Sequence, residues 1–284
     1  MSYTPILPLT GYTGWAFLQR TLETQKVTFA NSAELRRDED YFRENIGKIT
    51  SAEELVSDYR LLKVTLGAFG LDDDINNRYF IQRVLSDGTT NSGAISSKLA
   101  DKTYARLSAA FGFGVGEIPL NQLEGFADAM LVSYKDRQFE VAVGAQDDTL
   151  RLALNARREL SDLASRATSS SADTLWYSVM GSEPLREVFE TALGLPSSFA
   201  SIDLDQQLAT FRDKTDVLLG DSEIGQFSDG DKIEALIRRY LIRAEASSGS
   251  ISMMTPGAGA LALLQAGGSS VAGGSSLMSI LAAR

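Results

Sequence analysis

The chain has 284 residues, of which 44% are hydrophobic and 23% charged, a balance typical of globular proteins and far from that of unfolded ones. At this length folding removes roughly three quarters of the extended-chain surface from water, so a large core can form within one domain or two lobes. With 27 Lys and Arg against 37 Asp and Glu, the net charge of −10 repels phosphate backbones, and nucleic-acid binding is not expected.

Cysteine and histidine are both absent. This removes disulfides, thiol nucleophiles, Cys/His zinc sites, His- or Cys-ligated haem and imidazole acid–base chemistry together. A cysteine-free chain fits a reducing compartment, and it equally fits passage through an export channel in the unfolded state. The basic clusters are the pairs Arg36-Arg37, Arg157-Arg158 and Arg238-Arg239, which are expected on solvated helix faces. The opening MSYTPILPLTGYTGW has no basic leader followed by an uninterrupted apolar run, so no Sec-type signal peptide is expected. No run of about 18 apolar residues occurs, and no membrane span is expected.

In chain order, Trp15, Leu18, Leu22, Gln25 and Phe29 recur at steps of three and four and predict the first amphipathic helix. Leu55, Tyr59, Leu62, Leu66 and Phe69 predict the next, opened by the capping-box pair Ser51 and Glu54 and closed by Gly70. A stripe of Leu123, Phe126, Met130 and Tyr134 follows, then a weaker one of Leu150, Leu154, Arg157, Leu160 and Ala164. Ile233, Leu236, Ile237, Tyr240, Leu241 and Ala244 form a broad last face, with Asp229 or Asp231 available as its cap. Alternation with a period of two never persists. The expected fold is an all-α multi-helix bundle.

Residues 51–71 match 171–195 once Gly181-Ser182-Glu183-Pro184 is set aside, with 8 of 21 paired positions identical. Four residues is close to one helical turn, so both apolar faces stay in phase, while Pro184 is expected to kink or restart the helix. Asp101-Lys102 and Ala105 echo Asp231-Lys232 and Ala235 farther on. These matches predict an internal duplication of a helical unit, with halves at about 51–114 and 171–245 linked by helices in 120–168. Residues 1–30 form an N-terminal arm and first helix, and 31–248 the helical core.

The segment 249–284 differs in kind. Of the last 38 residues 16 are Gly or Ser, and Arg284 is the only charge after Glu245, which predicts a flexible tail. Two apolar clusters interrupt it, Leu261, Leu263 and Leu264, then Leu277, Met278, Ile280 and Leu281, and these are the candidate partner contacts.

Candidate chemistry is sparse. Asp72-Asp73-Asp74-Ile75-Asn76-Asn77 resembles a calcium loop, but the sixth and twelfth positions hold Asn77 and Arg83 where an EF-hand needs Gly and Glu. Helix capping by Asp73 or Asp74 is the expectation instead. Gly112, Gly114 and Gly116 in FGFGVGE follow a helix rather than a strand, which argues against a dinucleotide loop. The pairs Asp147/Asp148 and Asp203/Asp205 read as ordinary surface acids, and Trp15 and Trp176 as core residues. No cofactor, metal or catalytic residue is implied.

The segments GYTGWAFLQRTLETQ, DYFRENIGKITSAEELVSDYRLLKVTLGAFGLDDDINNRYFIQRVLSDG and ALGLPSSFASIDLDQQLATFRDK resemble an uncharacterised family, domain of unknown function 1217, encoded among bacterial flagellar genes. The likeness covers most of residues 10 to 245. It implies a helical, non-enzymatic, flagellum-associated protein, structural or accessory to assembly, whose partners are other flagellar or export proteins. The alternative it leaves open is a cytoplasmic chaperone-like module for an export substrate. No site residue carries over from this family.

Overall fold

Polar caps and left-handed glycines cut the apolar stripes into short rods. The structure, a computed structural model, describes residues 3–90 and 93–248, and these carry thirteen α-helices, four 3-10 turns and no strand. The helices are α1 (Gly11–Ala30), α2 (Ala33–Asn45), α3 (Ala52–Ser57), α4 (Tyr59–Phe69), α5 (Arg78–Asp87), α6 (Ile95–Lys98) and α7 (Thr103–Phe111). They continue as α8 (Phe126–Gly144), α9 (Asp148–Ser165), α10 (Ala172–Gly181), α11 (Glu183–Leu193), α12 (Leu204–Leu219) and α13 (Gly230–Ser247). The fold is all-α, as the periodicity implies.

The apolar faces meet in two cores. Phe42, Leu55, Leu62, Leu66, Ile81, Leu107 and Phe111 fill the first, together with Met130, Leu131 and Tyr134 from the first half of α8. The second gathers Trp15 and Leu18 of α1, Phe139 and Val143 from the other half of α8, and the buried residues of α9 to α13. Helix α8 has 19 residues and is therefore about 28 Å long, enough to serve both cores. Aromatic side chains order the second core. The Phe189 ring lies 5.4 Å from that of Trp176, 6.2 Å from Phe211 and 5.9 Å from Phe227, each pair edge to face.

Three expectations need correction. The helix expected across 51–69 is two helices, because Asp58 takes an extended conformation (φ −91°, ψ 105°) and its carboxylate accepts the Arg60 and Leu61 N–H groups as the cap of α4. That break turns Tyr59 out to solvent. Leu123 lies in a turn ahead of α8 and is exposed, so only Phe126, Met130 and Tyr134 of that stripe are helical. The third concerns α9, whose buried face is wider than the expected stripe. On α9, Leu152, Ala153, Ala156 and Leu163 are buried besides Leu150, Leu154, Leu160 and Ala164, while Arg157 is exposed. The helix is amphipathic, with a broad apolar face and a polar one that carries Arg157, Ser161, Asp162 and Ser165.

The matched segments share a local plan. Like Asp58, Ser182 is extended (φ −94°, ψ 110°), and Pro184 then sits in the first turn of α11, where its missing N–H costs nothing. Helices α4 and α11 have 11 residues each and end on Gly70 and Gly194 at φ +73° and +68°. The next N–H reaches back into the last turn in both, Leu71 to the Leu66 carbonyl at 2.9 Å and Leu195 to the Glu190 carbonyl at 2.8 Å. The extra four residues lengthen α10, which has 10 residues where α3 has 6. Beyond this the segments diverge, since α5 and α7 have 10 and 9 residues and α12 and α13 have 16 and 18.

Phe189 sits at the centre of the aromatic group, so Phe189→Ala is expected to cost about 3–5 kcal/mol by leaving a cavity its neighbours cannot fill. Denaturant unfolding followed by tryptophan fluorescence measures it; a loss under about 1 kcal/mol contradicts this packing.

Candidate functional site

Most of the polar candidates turn out to terminate helices. Asp147 caps α9 by accepting the Thr149 and Leu150 N–H groups at 3.0 and 3.2 Å. Asp203 caps α12, and Asp148 pairs with Arg151 at 2.6 Å. Ser51 caps α3, and the Glu54 carboxylate reaches the Thr50 N–H at 2.7 Å. The hollow of about 640 Å³ beside α3 is lined by these capping groups, including Glu54 and Asp58. Trp15 and Trp176 are buried, with indole N–H groups bonded to Glu234 and the Ser222 carbonyl.

The acidic run after Gly70 does not cap a helix. It forms a 3-10 turn, and its carboxylates are taken by side chains: Asp72 by Gln138 at 2.6 Å, and Asp74 by Asn77 and Tyr104 at 2.8 and 2.6 Å. Among the described residues no group of acids is arranged to hold a metal ion. Leu261, Leu263, Leu264, Leu277, Met278, Ile280 and Leu281 lie outside the described residues.

The feature that the sequence did not announce is a buried charge cluster where α7, α8 and α9 meet. Arg158, expected on a solvated face with Arg157, is turned inward. Its guanidinium donates to both Glu140 oxygens at 2.8 and 2.9 Å and to Glu159 Oε1 at 2.8 Å. The same Glu159 oxygen receives Arg137 Nη2 at 2.9 Å, and Glu159 Oε2 lies 3.5 Å from Arg106 Nη1. Glu159 and Arg137 have side chains only 8% and 14% exposed. Burial pushes the Glu159 carboxyl up, but Arg158, Arg106 and Arg137 outweigh it and hold its pKa at about 2. Burial and the neighbouring Arg158 push Arg137 down.

The second feature is the loop joining α7 to α8, residues 112–125. Its backbone is tied at several points. Gly112 turns left-handed at φ +63°, and the buried Asn121 amide donates to the Ile46 and Ile49 carbonyls at 2.7 and 2.8 Å. The Glu117 carboxylate accepts the Thr89 and Thr90 N–H groups at 2.9 and 3.2 Å. At Gly114 a Cβ would lie 2.6 Å from the Gly88 Cα, so only glycine permits that approach. Of the glycines in FGFGVGE, Gly112 thus ends a helix, Gly114 permits a close packing, and Gly116 turns left-handed at φ +80°. On this anchored frame Val115, Ile118 and Leu123 stand out, 94%, 77% and 60% exposed.

The family model described as "Protein of unknown function (DUF1217)" matches residues 68–233, and the chain belongs to this family. No curated protein matches it in sequence. In structure it resembles a protein from Agrobacterium tumefaciens, a structural genomics target solved by X-ray crystallography. The TM-score is 0.67 at 23% identity, with 86% of this chain and 98% of that chain covered, a likeness of fold. No helix among the described residues is long and apolar enough to cross a membrane.

Glu159 gains its stabilising role from a lowered pKa, so its contribution is complete above the ordinary carboxylate value of 4.5 and disappears as the pH falls to about 2. Glu159→Gln is expected to lose about 3 kcal/mol at pH 7 by leaving buried guanidiniums unmatched, with the deficit shrinking as the solution is acidified. Urea unfolding of both proteins at several pH values checks this; a deficit independent of pH contradicts the assignment.

Proposed function

We propose that the protein is a non-enzymatic, flagellum-associated component that acts by binding other proteins, either as a structural part or as an assembly accessory. The observation that carries the contact role is the 112–125 loop. Apolar side chains in a loose loop carry little meaning, because single exposed hydrophobic residues are common. Here the backbone is fixed by Asn121, Glu117 and the Gly88–Gly114 approach, and the side chains it presents are largely exposed among the described residues. Rigid scaffolds that hold exposed apolar loop residues in place are the usual construction of a docking surface. The flagellar setting comes from the family likeness, and a cysteine-free chain is compatible with export.

The companion reading is a cytoplasmic chaperone-like module for an export substrate, and fractionation separates the two. Recovery with purified basal bodies supports a structural part; soluble co-purification with one export substrate supports the chaperone. Normal swimming and normal basal-body composition after gene deletion would remove the flagellar reading altogether.

Val115→Asp combined with Ile118→Asp is expected to leave stability within about 0.5 kcal/mol of the parent, since neither side chain is buried. The same double variant is expected to lose flagellar partners in affinity capture and to swim as poorly as the deletion strain. Full partner recovery by a folded double variant excludes the loop as the contact.

A further inference from the structure

The buried charge cluster is open on one side. A cleft of about 340 Å³ lies between α4, α7, α8 and α9, and Arg106, Arg137 and Arg158 form one wall of it. Phe69 and Met130 line it as well and supply apolar surface. Its size falls at the small end of the range in which ligand pockets occur, and the pairing of an apolar surface with a few convergent polar groups is their usual make-up.

The guanidinium donors within it are not all used. Three guanidiniums face two buried carboxylates, Glu140 and Glu159. Both Glu140 oxygens are taken by Arg158 alone, and Glu159 Oε1 already receives Arg137 and Arg158. Arg137 has five N–H donors and bonds through one nitrogen, while the partly exposed Arg106 bonds Thr103 Oγ1 through Nη2 at 2.9 Å, lies 3.5 Å from Glu159 through Nη1 and leaves Nε without a partner. The remaining acids at the cleft do not redress this. Asp136 is engaged by Lys26 at 2.9 Å, and Asp162 is exposed at the rim and shares no ion pair within the described residues. Guanidinium N–H groups left unused beside an accessible cleft suit an oxyanion, which would accept them in the planar geometry guanidinium offers.

We propose that this cleft binds a small organic anion, with its phosphate or carboxylate group on Arg106 and Arg137 and its apolar body against Phe69 and Met130. The site is separate from the 112–125 loop and does not depend on the flagellar reading.

Phenyl phosphate is the probe, titrated calorimetrically into the full chain at fixed ionic strength, with inorganic phosphate and benzyl alcohol alongside. Phenyl phosphate is expected to bind saturably at a single site, inorganic phosphate more weakly, and benzyl alcohol not at all. Arg106→Gln, at a partly exposed side chain, is expected to weaken phenyl phosphate binding about tenfold. Asp162→Asn removes the repelling rim charge and is expected to tighten it roughly threefold. Absence of saturable phenyl phosphate binding, or equal binding of benzyl alcohol, overturns the proposal. So does unchanged affinity in a folded Arg106→Gln protein. Should that variant fail to fold, Asp162→Asn decides, and affinity that is unchanged or weakened defeats the idea.

Discussion

Glu159 is the point on which the arrangement of the middle of the molecule depends. A single carboxylate, almost wholly out of water, holds guanidiniums delivered by α7, α8 and its own helix α9. Removing ions of this size from water costs several kcal/mol each, and the cost is recovered only while each partner keeps its place. Sliding any of the three helices strands a buried charge. Arg137 stands on α8 between Tyr134, which fills the first core, and Phe139, which fills the second. Its guanidinium also covers Gly70, where a Cβ would lie 2.5 Å from Nη1. The charge cluster therefore registers the two cores against each other, a task that apolar packing, which has no direction, performs poorly.

This constraint also places the two surfaces proposed above as binding sites. Arg106 anchors α7, and α7 ends at Gly112, where the apolar loop begins; Leu120 returns its N–H to the Phe111 carbonyl at 2.9 Å. The open side of the cluster is the Arg-lined cleft itself. Contact loop and cleft thus share α7. A change at Glu159 would reach both, while a change at Val115 or Asp162 should remain local because each is exposed and neither supports a neighbour.

Legibility in the sequence followed the range of the interactions. The faces of α1 and α13, the cap at Ser51 and the left-handed Gly70 are fixed by residues within a turn or two, and each was readable as a pattern. The break at Asp58 is also local, but the apolar period runs through it in phase and hid the cap. The stripe of α9 was legible in Leu150, Leu154, Leu160 and Ala164, but Arg157, counted within it, is exposed, and the face is completed by Leu152, Ala153, Ala156 and Leu163. The inward turn of Arg158 had no local sign at all. Its partners Glu140 and Glu159 lie 18 residues away and next door, and a charged residue on a helix reads as solvated until tertiary structure supplies its counter-charge. The same limit concealed the apolar loop, because only the fold shows that Val115 and Ile118 are exposed among the described residues.

The overall charge of −10 and the guanidiniums lining the cleft act against each other, and the contest bears on what the proposed site would hold. A large polyanion would meet repulsion over its whole length and gain only one small patch of guanidiniums. A small anion crosses the same field once, within about one Debye length of the surface, and then sits in a site where low polarity strengthens each charge-assisted hydrogen bond. Asp162 at the rim sharpens this, since it penalises any ligand whose negative charge extends beyond the cleft mouth. An acidic exterior around a guanidinium-lined cleft would select for size as well as sign, which an exposed arginine cluster on a neutral surface could not do.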